Sequence, residues 1–227
     1  MSFKFFDPDA ELAISHGRLP HWEQAGATYF ITFRTVDSIP RSVFNQWKQE
    51  RAAWLTERGV DLADDDWQSK LELLPEASRR EFSRRFSQKW HDELDRCHGE
   101  CLFRQPGLAK IVAESFRHFD GVRYEMGDFV VMPNHVHLLV GIAGREALRR
   151  ECRSWKKFSA GEINRCSGRE GEFWQTESFD HLVRSEGSFD QFRRYIADNP
   201  KKVGLREGEF LYYRSVKPLR QSSRVTP

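Results

Sequence analysis

The chain has 227 residues, 39% hydrophobic and 13% aromatic, enough apolar surface for a core and unlike a disordered chain. No apolar run approaches the roughly 18 residues of a membrane span, so no membrane partner is expected. Charge is nearly balanced at +2, and the opening Phe3-Lys4-Phe5-Phe6-Asp7-Pro8 does not read as a signal peptide, which makes the cytoplasm the expected compartment.

Taken in chain order, Thr28-Tyr29-Phe30-Ile31-Thr32-Phe33-Arg34-Thr35 reads as a first strand, rich in β-branched and aromatic residues. Residues 40–100 then turn helical and charged, with Val43, Trp47, Trp54 and Leu55 near helical spacing. Phe82, Phe86 and Trp90 recur every fourth residue, one helix face, while the acidic run 61–66 reads as a loop. This segment is a helical insertion, net −4 over 57–100, and nothing in it reads as catalytic. A helix over 106–119 carries Pro106 in its first turn. A strand over 123–132, a Pro133-Asn134 turn and a strand over 135–142 follow. Residues 147–163 are helical, 172–183 extended at least in part, and 185–198 helical with Ser185 or Ser188 as cap. The order β, insertion, α, β, β, α, β, α predicts one α+β domain over 1–227. Its core (28–36 plus 101–206) is a ferredoxin-like antiparallel sheet with helices on a face.

Charge is uneven along the chain. Residues 1–144 carry net −4 and 145–227 net +6, and a basic tail spans 207–227. A basic C-terminal third suits a polyanionic partner, although solubility alone would also account for it. Cys97, Cys101, Cys152 and Cys166 read as reduced thiols, because the three-residue spacing of Cys97 and Cys101 lacks a second pair to complete a zinc site.

The strongest local signal is Met132-Pro133-Asn134-His135-Val136-His137-Leu138-Leu139-Val140. Strand alternation points His135 and His137 to one face, with Val136, Leu138 and Val140 on the other. Paired imidazoles at a strand start suit a metal, and hydrogen-bonded structural histidines fit the same pattern. In Phe192-Arg193-Arg194-Tyr195-Ile196-Ala197-Asp198-Asn199-Pro200, Tyr195 and Asn199 share a helix face, and Pro200 should end the helix at Asn199. Taken singly, Tyr195 also reads as a core tyrosine and Asn199 as a cap.

Together with Trp155-Lys156, Phe173-Trp174-Gln175, Phe179-Asp180-His181 and Tyr195-Ile196-x-x-Asn199-Pro200-x-Lys202, these segments resemble the IS200-like HUH (Y1) transposases, in particular the repetitive-palindrome-associated tyrosine transposases. The resemblance covers residues 106–206 closely and the strand at 28–36; Val203-Gly204-Leu205 stands where Ala-Gly-Leu is usual. It implies that His135, His137 and Asn199 hold Mg²⁺ or Mn²⁺. It also implies that Tyr195 attacks a phosphodiester to form a 5′-phosphotyrosine, so that single-stranded or hairpin DNA is nicked and rejoined without ATP. A monomer and a homodimer both remain open.

Arg149, Arg150, Arg153, Lys156 and Lys157 form a basic helix offered to DNA phosphates, or simply a solvated face. Arg193 and Arg194 flank the nucleophile, and Lys202 lies two turns beyond it. Trp174 is a candidate platform for an unpaired base, against the commoner fate of a buried indole. His181 reads as a support residue. The alternative functions are a domesticated DNA- or RNA-binding module of the same fold, and a metal-dependent hydrolase with no covalent step.

Overall fold

A computed structural model describes residues 3–7, 10, 13–16, 20–64, 66–176 and 178–217. A short antiparallel pair, β1 (Ala13–His16) and β2 (Pro20–Glu23), precedes the predicted first strand, β3 (Thr28–Arg34). The insertion follows as α1 (Arg41–Thr56), α2 (Trp67–Glu72), α3 (Glu76–Phe82), a stretch of wider π turns over Ser83–Gln88, and α4 (Lys89–Asp95). It closes its own small core of Trp54, Leu55, Val60, Trp67 and Phe86. Phe82 and Phe86 meet there as expected, with ring centroids 5.2 Å apart. The side chain of Trp90 lies outside the described residues.

The remaining elements are α5 (Pro106–Arg117), β4 (Tyr124–Val131), β5 (His135–Ile142), α6 (Arg145–Ser167), β6 (Phe179–Leu182), α7 (Glu186–Lys202) and β7 (Leu211–Tyr213). Five strands form one antiparallel sheet in the order β6-β3-β5-β4-β7. The first four strands with α5 and α6 are a β-α-β-β-α-β unit, the ferredoxin-like arrangement. No described helix is long and apolar enough to cross a membrane.

Both faces of the sheet are covered, where the sequence suggested helices on one. The reason lies in β5, whose every residue is buried. Val136, Leu138 and Val140 pack with α5 and α6 residues such as Val112, Phe116 and Trp155. Leu139, on the opposite parity, joins Phe30, Val130, Phe189 and Ile196 under α7. With Phe30 and Val130 from the neighbouring strands, Leu139 makes this second face of the sheet apolar too, and it needs a layer to cover it. That layer brings α7 onto the face that carries the two histidines.

α7 starts at the predicted cap, Ser185, whose hydroxyl accepts from the Ser188 amide at 3.2 Å. It does not stop at Asn199; it runs through buried Pro200 to Lys202. So near the helix end the missing proline N–H costs a single backbone bond, and the buried ring offsets that loss by packing. The stretch 207–227 is partly structural: it supplies edge strand β7, and the Lys217 ammonium pairs with Asp120 and with Glu125, the latter at 2.7 Å. Residues 218–227, including Arg220 and Arg224 of the basic tail, lie outside the described residues.

Candidate metal and nucleophile site

His135 and His137 sit at the start of the central strand β5, fully buried, on the α7 face. Each ring is held through Nδ1. Asn134 donates from Nδ2 to the His98 carbonyl at 2.7 Å, so its Oδ1 is the acceptor facing His135 Nδ1 at 2.8 Å. His137 Nδ1 meets Thr32 Oγ1 at 2.7 Å, directly across the β3–β5 ladder. Both bonds turn the Nε2 atoms toward each other, 3.1 Å apart. Two adjacent ligands of an octahedral ion with bonds of about 2.1 Å would stand about 3.0 Å apart. Clamping Nδ1 with an oxygen is also how proteins orient metal-binding imidazoles.

A carboxylate joins them. Asp95, the last residue of α4, has Oδ1 3.9 Å from His135 Nε2, and donor atoms of Asp95, His135 and His137 all lie within 4.8 Å of one another. Two imidazoles and a buried carboxylate form a donor set able to bind a divalent ion. The insertion, in which nothing read as catalytic from sequence, therefore reaches the site. No local pattern distinguishes Asp95 from the other acidic residues of that segment; only the docking of α4 does.

From above, α7 contributes Tyr195, Asn199 and Lys202, spaced along one face as helical periodicity requires. The Tyr195 ring stands edge-on to His137, centroids 5.1 Å apart, and edge-on to Phe30 at 5.8 Å. Burial pushes the Tyr195 phenol well above its ordinary pKa; the charges of Asp95 and Asp92 push the same way, and the Asn199 side chain opposes them. Asn199 is 1% exposed and donates from Nδ2 to Asp95 Oδ1 at 3.3 Å. Its Oδ1 is buried with no hydrogen-bond partner among the described residues. A polar atom orphaned in this way beside a carboxylate and two imidazoles is what a site shaped around a cation leaves.

The sequence-predicted nucleic-acid contacts divide. Arg194 is exposed on α7 beside Tyr195, whereas Arg193 is held by Asp128 at 3.1 Å. Lys202 Nζ binds Asp95 Oδ2 at 2.8 Å and Asp92 at 3.4 Å. Arg149, Arg153 and Lys157 are exposed on α6, the far side of the sheet from the histidines. Lys156 is engaged internally, donating to the carbonyls of Gln175 and Thr176 at 3.0 and 3.1 Å. Trp174, a candidate stacking platform from sequence, is buried in the α5–α6 core instead of presented at the surface, stacked on Phe103, with Nε1 donating to Ser159 Oγ at 2.9 Å. The Trp174 backbone bridges Thr35, just past the end of β3, and the indole packs edge-on to Phe33 with ring centroids 4.8 Å apart. His181 lies against Phe192, ring centroids 5.4 Å apart, and is not in the Asp95–His135–His137 group.

The fold and site together define a ferredoxin-like sheet with a His-x-His pair on its central strand and a tyrosine helix packed over it. No protein-family model and no curated protein matches the chain. Among solved structures, a REP-associated tyrosine transposase bound to a REP hairpin is similar at 15% identity and a TM-score of 0.42, over 82% of this chain and 74% of that one.

Proposed function

We propose that the protein nicks and rejoins single-stranded DNA at hairpin-forming sequences, with Tyr195 as nucleophile and His135, His137 and Asn199 holding Mg²⁺ or Mn²⁺. The observation that carries this reading is the meeting of Tyr195, Asn199, His137 and Asp95, from three separate elements, in one buried polar cluster.

Tyr195 Oη attacks phosphorus and the P–O3′ bond breaks. The proton lost by the phenol is balanced by the one taken up at the departing 3′ oxygen. One phosphodiester is exchanged for a 5′-phosphotyrosine, so a second 3′-OH can reverse the step with no nucleotide consumed. A phenol is already protonated near neutral pH, and burial raises the Tyr195 pKa further, so forming the phenolate requires a positive charge beside it. A divalent ion bound by this donor set would supply the positive charge that favours phenolate and the developing phosphorane. His135 and His137, clamped through Nδ1, are preorganised to present Nε2 and pay little reorganisation on loading. Arg194 guides the strand beside Tyr195, while Arg149, Arg153 and Lys157 hold phosphates of the duplex part of a hairpin that reaches across the sheet edge.

The test is incubation of the full chain with a labelled single-stranded hairpin and Mn²⁺, read on a denaturing gel. A covalent adduct is expected that disappears with Tyr195→Phe and with EDTA. Cleavage without an adduct would assign a hydrolase instead, and binding without cleavage a binding module.

A further inference from the structure

The Asp95 carboxylate is buried, its side chain 5% exposed, yet the cation that neutralises it is not. Lys202 is 49% exposed and reaches in from the rim, placing Nζ 2.8 Å from Asp95 Oδ2. The other oxygen, Oδ1, faces the site, with Asn199 Nδ2 at 3.3 Å and His135 Nε2 at 3.9 Å. A carboxylate held between a half-exposed ammonium and two preorganised imidazoles can exchange one cation for another. Desolvating a carboxylate is costly unless a positive group stays beside it, so an ion arriving at the imidazoles would take over the role of Lys202. Lys202 borders an open cleft of about 420 Å³ lined also by Asp92, Asp95, Arg96, Cys97 and Arg104. Asp92, half exposed and 3.4 Å from the same nitrogen, would keep the released ammonium at that rim.

We infer that Asp95, delivered by the helical insertion, is the anionic ligand of the divalent ion, and that Lys202 is its resident counter-cation in the ion-free protein. Loading passes the carboxylate from Lys202 to the ion and turns the ammonium outward, where it can meet a DNA phosphate. The inference rests on the metal-dependent reading above and adds to it a ligand from outside the β-α-β-β-α-β unit. It also makes Lys202 a competitor of the ion.

The experiment is calorimetric titration of the full chain with MnCl₂, without DNA, for wild type, Lys202→Met, Asp95→Asn and His135→Ala. Removing a positive charge a few ångströms from the ion should tighten Mn²⁺ binding on the order of tenfold in Lys202→Met. Asp95→Asn should weaken it at least as strongly, and His135→Ala should weaken it too. Unchanged or weaker binding in Lys202→Met, with His135→Ala impaired, overturns the exchange while leaving the metal reading intact. Unchanged binding in Asp95→Asn removes Asp95 from the ligand set. Absence of Mn²⁺ binding by the wild type overturns both. Circular dichroism confirms folding of each variant, and Asp95→Ser, which also lacks the charge, replaces Asp95→Asn should that variant unfold.

Discussion

Thr32 Oγ1 lies 2.7 Å from His137 Nδ1, and the two residues are paired across the β3–β5 ladder. The hydroxyl therefore sets the orientation of the imidazole from a neighbouring strand, without standing in the cluster of Tyr195, Asn199 and Asp95. Oxygen partners of this kind typically alter metal affinity by about 10- to 100-fold when lost. Thr32→Val, which keeps shape and β-propensity, should weaken Mn²⁺ binding by about that factor, and Thr32→Ser should restore most of it. Titration of both variants decides the point; equal affinity in Thr32→Val would show that packing alone orients the ring.

The two faces of the sheet should separate stability from site chemistry. Phe116 is fully buried between α5 and the sheet, ring to ring with Phe33, Phe129 and Trp155. Phe116→Ala should cost about 3–5 kcal/mol of folding free energy by lost transfer and cavity formation. Urea unfolding followed by Trp fluorescence measures it.

Tyr195 should leave a mark on alkaline stability. Its folded-state pKa is raised, chiefly by burial, so the folded state holds the phenolic proton more tightly than the unfolded chain does. The stability this contributes is complete below the unfolded value of about 10 and is lost as pH rises above it. Tyr195→Phe should therefore show a shallower fall of the urea midpoint between about pH 9 and about pH 11 than wild type. Tyr124 and Tyr212 are raised as well and are common to both proteins, so the difference isolates Tyr195.

The four thiols should differ in reactivity. Burial pushes Cys97 and Cys152 up to about 12, whereas Cys166 is exposed near the end of α6. Nucleophilic thiolate is scarce where burial raises the pKa. At neutral pH a maleimide should label Cys166 first, and Cys166→Ser should remove the fast phase of labelling as read by mass spectrometry.

On α6, Arg153 and Lys157 are exposed and Lys156 is spent on two carbonyls. If the first two contact duplex phosphates, the double variant Arg153→Ala/Lys157→Ala should lower the slope of log K against log salt for a hairpin by about 1.8. Lys156→Ala should lower it less and cost stability instead. An unchanged slope in the double variant would remove α6 from the DNA path.

Much of the local geometry was legible before any tertiary information. Strand alternation places His135 and His137 on one side of β5, and helical periodicity places Tyr195 and Asn199 on one face of α7. Both follow from covalent backbone geometry, which repeats every two residues in a strand and every 3.6 in a helix. The order of elements also carried the ferredoxin-like topology, because short right-handed connections leave few alternatives.

What the tertiary structure decided is which faces meet. Sequence order could not tell that α7 lies over the histidine face, that Trp174 is spent inside the α5–α6 core, or that α4 ends with Asp95 3.9 Å from His135. Such neighbours are set by which apolar surfaces across the whole chain pack together, a long-range balance that leaves no periodic trace around the residue concerned. Asp95 shows this most plainly: one acid among many in a charged insertion, it stands out only where packing buries it beside two imidazoles, with Lys202 against its other oxygen.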